Sequence, residues 1–187
     1  GAEEAEPVVR LGLADENRGV RFVAAMTVAE LGFEEMAPLV APLLDDPSLS
    51  VRAAAILALH RSGREVDPTP LAVMLESDDA ELRGNAALVL GELGNPTAIP
   101  MLRSALRDPL EMTSVTRQRI VELQIAEAMV KLGRTSELEV IHAALFSPAE
   151  QAELVALACQ VMGRLGDSTY AAAMENKAMT TGRQEQP

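Results

Sequence analysis

The sequence predicts an all-α protein in which antiparallel helix pairs stack into a solenoid. Three observations carry that expectation. First, the stretch SVRAAAILALHRSG (50–63) has close copies at equal distance on either side, GVRFVAAMTVAELG (19–32) and ELRGNAALVLGELG (81–94). Self-similarity at a fixed period of this length marks a repeat architecture. Second, apolar residues make up 48 % of the chain, but aromatics only 2 %, with no Trp. The core must therefore be built from Ala, Leu, Val, Ile and Met, a composition that suits close helix packing better than a sheet. Third, the apolar residues within each copy recur at helical spacing and stop at a glycine, as happens at a helix end.

The repeat can be followed along the chain. Gly32, Gly63 and Gly94 keep a step of 31, as do Arg21, Arg52 and Arg83, Leu44, Leu75 and Leu106, and Asp15, Asp46, Ser77 and Asp108. Gly133 follows after a step of 39 and Gly166 after one of 33. The expected organisation is a helix remnant or cap over 1–15 and five units over 16–178: 16–47, 48–78, 79–109, 110–147 and 148–178. A flexible polar tail over 179–187 completes it. The first segment, EPVVRLGLAD (6–15), reads as the tail of an earlier helix. In the third unit, Leu82, Ala86, Leu90 and Leu93 form one stripe and Gly94 a left-handed stop. Ile99, Leu102 and Leu106 then form a second, shorter stripe, which RDP ends because proline lacks a donor. The fourth unit carries eight extra residues, expected near DPLEMTSVTRQRI (108–120), before or at the start of its first helix. In the fifth, GDSTYAAAMENKAMTTG (166–182) lacks the leucine pattern and is expected to be at most a polar cap. A single hairpin of this size cannot bury both of its stripes, so neighbours must stack.

The stretches DPSLSVRAAAILALHRSG and DDAELRGNAALVLGELGNPTAIPMLRSALRDP resemble HEAT repeats, in particular the short HEAT-like type first associated with phycobilin lyases. The pattern D-x-x-V-R-x-x-A-A-x-A-L-G-x-L-G followed by A-I-P-x-L is nearest its ideal form in the third unit. The resemblance covers nearly the whole chain from about Asp15. It implies a right-handed α-solenoid of about five HEAT-like repeats, with the second helices on the concave face. It also implies a structural ladder of ion pairs at the inter-repeat turns. The residues themselves point to the same ladder, Asp15 with Arg21 and Asp46 with Arg52, extended by Arg83. The ladder is expected to stop where Glu122 and Val155 take the arginine position.

On the second helices, Leu39, Pro70, Met101 and Val140 share one repeat position. Pro42, Val73, Ser104 and Ala143 share another. Both rows flank the core positions Val40, Leu71, Leu102 and Ile141, and a soluble surface normally carries charge there. Two largely apolar rows point to a groove for a partner helix or extended segment, with Leu39, Pro42, Pro70, Val73, Met101 and Val140 as contacts. The alternative is short, rotated helices with half-buried rows.

Composition narrows the function classes. A net charge of −12, from 28 acidic against 16 basic residues, repels phosphate backbones and argues against nucleic-acid binding. HEAT-like DNA glycosylases need a basic face with aromatics, and this chain has three Phe and one Tyr. HEAT-like di-iron proteins use His-Glu pairs, whereas here His60 precedes Arg61 and His142 precedes Ala143. No metal, cofactor or catalytic residue is expected. His60 is read as a histidine near a helix C-terminus, His142 as exposed, and the single Cys159 as a small core residue. No run of apolar residues is long enough to span a membrane. The chain opens on Gly1 rather than Met, which leaves an earlier signal or anchor segment open and a cytoplasmic location slightly favoured. The expected function is a non-enzymatic protein-interaction scaffold or assembly subunit. The alternative is a phycobilin lyase or chaperone-like protein handling a tetrapyrrole.

Overall fold

The computed structural model describes residues 2–111 and 113–168. Among them ten α-helices are joined by short turns and 3-10 segments, with no strand, forming an all-α solenoid. After α1 (Ala2–Gly12), first and second helices alternate. The pairs are α2 (Arg18–Leu31) with α3 (Ala37–Val40), α4 (Leu49–Arg61) with α5 (Thr69–Leu75), α6 (Ala80–Leu93) with α7 (Ile99–Arg107), and α8 (Val115–Lys131) with α9 (Leu138–Ala144). The last described helix is α10 (Ala152–Leu165). The expectations for a polar cap and a flexible tail fall largely on 169–187, outside the described residues.

Local chemistry sets the helix ends. The side chains of Asn17, Asp79 and Ser114 cap α2, α6 and α8 by accepting from the Gly19, Glu81 and Arg117 N–H groups at 2.8, 2.9 and 3.2 Å. Each first helix ends at a glycine with positive φ, between 67° and 94° at Gly32, Gly63, Gly94, Gly133 and Gly166. The repeating glycine therefore marks a backbone conformation that other residues adopt only with strain. The second helices are shorter than the first, 4 to 9 residues against 13 to 17. Pro42 lacks an N–H, and α3 gives way there to a 3-10 segment over Ala41–Asp45.

The first helices of successive units pack side by side, more intimately than the second helices do. Small residues permit this closeness. A Cβ built on Gly91 of α6 would lie 2.8 Å from the Ala128 Cα of α8, so the two backbones are nearly in contact. Between α4 and α6, Asn85 Nδ2 donates to Ser50 Oγ at 3.0 Å. Second helices close the core from the other side through Val9, Val40, Leu71, Leu102 and Ile141, one repeat position that is 7 %, 0 %, 0 %, 0 % and 0 % exposed. Part of the eight-residue insertion lengthens the start of α8, which runs 17 residues against 14 in α6; most of the rest lengthens the loop before it. Val121, Ile125 and Ala128 of α8 join the core of the earlier units, while Ile120, Leu123 and Ala126 join that of α9 and α10. Sharing two cores explains why α8 lacks a single apolar stripe.

Candidate interaction surfaces

The arginine at the start of each first helix clamps the turn before it. Arg21, Arg52 and Arg83 each donate to the backbone carbonyl six residues earlier, that of Asp15, Asp46 and Ser77. The carboxylate comes instead from the next inter-repeat turn along the array. Arg21 Nε and Nη2 reach Asp46 Oδ2 and Oδ1 at 2.7 and 3.0 Å. Arg83, 1 % exposed, donates to the Asp108 carbonyl and lies 3.6 Å from the Asp108 carboxylate. The expected pairs, Asp15 with Arg21 and Asp46 with Arg52, are corrected in that neither forms a direct ion pair, although charge attraction acts within each. Across so tight a turn the guanidinium meets the carbonyl, and the carboxylate turns towards the preceding arginine. Arg52 finds Ser77 at the matching position of its next turn and so lacks this carboxylate. The Arg21 hydrogen bond holds the Asp46 carboxyl below the usual range against the opposing effect of burial, and Asp46 raises the Arg21 pKa. In unit four, Gln118 takes over the turn, its Oε1 accepting from the Leu110 N–H at 2.8 Å.

All six row residues on the second helices are exposed: Leu39, Met101 and Val140 are 38 %, 37 % and 38 % exposed, Val73 69 %, and Pro42 and Pro70 are open to solvent. The structure brings only some of them together. Pro70 and Val73 line a cleft with Leu49, Ile56 and Val66 on one side of α5. Met101 lines an adjoining cleft with Ala72 and His60. Leu39, Pro42 and Val140 stand apart from both. The rows also run further than the sequence reading took them. Val8 and Leu11 of α1, one repeat step before Leu39 and Pro42, are 70 % and 77 % exposed.

The concave side belongs to the first helices, which corrects the placement that the resemblance implied. One cleft of about 730 Å³ is lined by all five: Met26 and Glu30 of α2, Leu57 and Arg61 of α4, Leu88 and Glu92 of α6, Glu127 and Lys131 of α8, Leu157 and Arg164 of α10. No second-helix residue borders it. The first helices pack more closely than the second, so the array bends around them.

A charge network crosses this cleft. Glu127, 2 % exposed, accepts from Arg164 Nε and Nη2 at 2.8 and 2.7 Å, and Lys131 Nζ lies 2.9 Å from its Oε1. Lys131 also reaches Glu92 Oε1 at 2.6 Å, and Arg61 pairs with the other Glu92 oxygen. Burial pushes both glutamates up, but the cations outweigh it and hold both carboxyls below their ordinary value. The Glu127 hydrogen bond raises Arg164, with attraction from Glu92 and Glu30 adding to it. Sequence reasoning missed this network although a signal existed. Glu30, Arg61 and Glu92 keep the step of 31, always two before the glycine, with alternating sign. Glu127 gave no such sign, because it occupies the position that Met26, Leu57 and Leu88 fill in earlier units.

His142 is half-buried rather than exposed, its Nε2 2.6 Å from Asp167 Oδ2. Cys159 is exposed rather than core. Its repeat position is buried in earlier units as Ala25, Ile56, Ala87 and Ala126, but no described helix covers it on α10. Among the described residues no helix is long and apolar enough to cross a membrane.

The family model for HEAT repeats matches residues 6–79 and 68–122, over half of the chain. The chain belongs to the HEAT-repeat family, whose repeats generally mediate protein–protein interaction or scaffolding. No curated protein matches it.

Proposed function

We propose that this chain is a non-enzymatic interaction module that binds a partner protein through the apolar rows of its second helices. The observation that supports this reading most is the exposure of Leu39, Pro42, Pro70, Val73, Met101 and Val140 at two repeat positions of a chain with net charge −12. Val8 and Leu11 extend both rows, and the clefts beside α5 offer recesses lined by Leu49, Ile56 and Val66. An amphipathic helix or an extended segment with apolar anchors fits such a surface. The rows lie on the outer helices, so the partner wraps the outside of the array and leaves the charged cleft free.

Met101→Glu and Val73→Glu test the reading. Both positions face solvent, so melting is expected to stay within about 0.5 kcal/mol of the parent. Affinity for a partner recovered from the native host is expected to fall about tenfold or more, since each change puts an unpaired charge into a contact that must lose its water. Unchanged affinity in both variants overturns the assignment. The tetrapyrrole alternative predicts visible absorbance that stays with the protein after incubation with bilin, and the protein-binding reading predicts none.

A further inference from the structure

We infer that the cleft lined by Pro70 and Val73 takes a partner segment that carries one Asp or Glu side chain beside apolar anchors, its carboxylate docking on Arg52; this rests on the reading of Pro70 and Val73 as partner contacts. The turn arginines show what Arg52 lacks. Arg21 Nε and Nη2 hold the Asp46 carboxylate 25 residues on, and Arg83 has the Asp108 carboxylate at the matching place. For Arg52 that place is Ser77. Ser77 keeps half of the role, since its Oγ accepts from the Asp79 N–H at 3.1 Å as Asp46 Oδ1 accepts from the Ser48 N–H at 2.8 Å. The other half is missing, because a hydroxyl brings no charge to the guanidinium. Arg52 Nε donates to the Asp46 carbonyl, and among the described residues Nη1 and Nη2 find no acceptor. Asp46 attracts Arg52 from a distance, but its two oxygens are taken by Arg21 and the Ser48 N–H.

The cleft opens where the carboxylate is missing. It encloses about 880 Å³ and is bordered by both Arg52 and Ser77. Its walls are largely apolar, with Leu49, Ile56, Val66 and Val73 among them. A guanidinium with two free amino groups matches the two oxygens of a carboxylate, and apolar walls strengthen such a bond by excluding water. Charge also sets the direction of the occupant. Arg52 lies in the first turn of α4. Glu65 and Asp67 border the same cleft from the connection beyond the other end of α4, and both are exposed. Asp67 accepts from the Thr69 N–H at 2.9 Å, and among the described residues neither carboxylate forms an ion pair. They repel a second acidic group, as does the net charge of −12. A fitting segment therefore brings a single acid to the Arg52 end and lays its apolar side chains along α5.

Selection of a random peptide library on the full chain tests this. The peptides are displayed with their C-termini joined to the carrier, so that only side chains offer a carboxylate. An enriched peptide and its copy with the acid changed to the amide are then titrated against the parent and three variants. The parent is expected to enrich peptides with one Asp or Glu beside apolar residues, and to bind the amide copy about tenfold more weakly, as loss of a charge-assisted hydrogen bond implies. Ser77→Asp puts the missing carboxylate into the chain itself. It is expected to melt at or above the parent temperature and to bind the acidic peptide and its amide copy equally. Arg52→Gln is expected to remove the same preference, and Val73→Glu to remove binding of both peptides. Apolar peptides enriched without an acid, and lost in Val73→Glu, overturn the role of Arg52 while the docking surface stands. A preference for the acid that persists in Ser77→Asp overturns it as well, since another group then meets the carboxylate. Binding that survives Val73→Glu places the contact outside this cleft and overturns the inference. A library that enriches nothing overturns both the inference and the docking reading of Pro70 and Val73.

Discussion

Glu127 ties α8 to α10 through its side chain. Its carboxylate is 2 % exposed and holds Arg164 and Lys131 together, so the last two described first helices meet through one buried charge. Removing the charge while keeping the shape leaves Arg164 without its bidentate partner. Glu127→Gln is expected to cost about 1–2 kcal/mol, read as a lowered midpoint in urea, because the buried carboxylate loses its bidentate bond while Arg164, 44 % exposed, keeps part of its water. The turn arginines should rank by the contacts they make. Arg83 is 1 % exposed and serves the part-buried carbonyls of Ser77 and Asp108, so Arg83→Met removes the donor of both and should cost about 2 kcal/mol. Arg52 donates only to the Asp46 carbonyl and lacks a carboxylate at the matching position of the next turn, so Arg52→Ala should cost about 1 kcal/mol. The reverse order would show that the buried guanidinium is not what holds the turn.

At the scale of the helix, two glycines at the same repeat position should answer alanine with opposite signs. Alanine in a helix interior is favoured over glycine by about 1 kcal/mol. Gly163 has open space where a Cβ would go, so Gly163→Ala should raise stability by about that amount. At Gly91 the added Cβ would meet the Ala128 Cα at 2.8 Å and its Cβ at 3.0 Å. Backbone cannot yield as a side chain tip can, so α6 and α8 must move apart. The overpacking cost of about 1–3 kcal/mol then exceeds the helix gain, and Gly91→Ala should destabilise. Thermal unfolding of the two variants side by side measures both signs.

For the whole molecule, the buried carboxylates set the response to acid. Asp46, Glu92 and Glu127 all have folded pKa values below their ordinary ones. A group lowered on folding contributes stability that is fully present above its unfolded value, about 4 for Asp and Glu, and is lost as pH falls through the folded value. The array should therefore hold its stability from pH 7 to about 5 and lose it steeply below about pH 4. Glu127→Gln should flatten that acid limb, since the variant has one fewer carboxylate to protonate. An equally steep limb in the variant would place the acid sensitivity elsewhere.

The sequence alone determined that the chain is a helical repeat array, where its glycine stops fall and which positions form the core. Each of these follows from a local rule that every copy obeys: a left-handed glycine after each first helix, and the same apolar column from Val9 to Ile141. Local rules repeated several times are legible without a structure. What the tertiary structure decided is how the copies lean on one another. The closer approach of the first helices, down to the backbone contact at Gly91, bends the array around them and makes theirs the concave side. The carboxylate that Arg21 grips sits one turn further along the array, and the cations that hold Glu92, like the Arg164 that holds Glu127, come from neighbouring first helices, in choices that depend on the angle between units. Cys159 shows the same limit, for its helical phase marks a buried position and only the end of the described array leaves it bare. Periodicity specifies which face of a helix is apolar, but the geometry of stacking determines what that face meets.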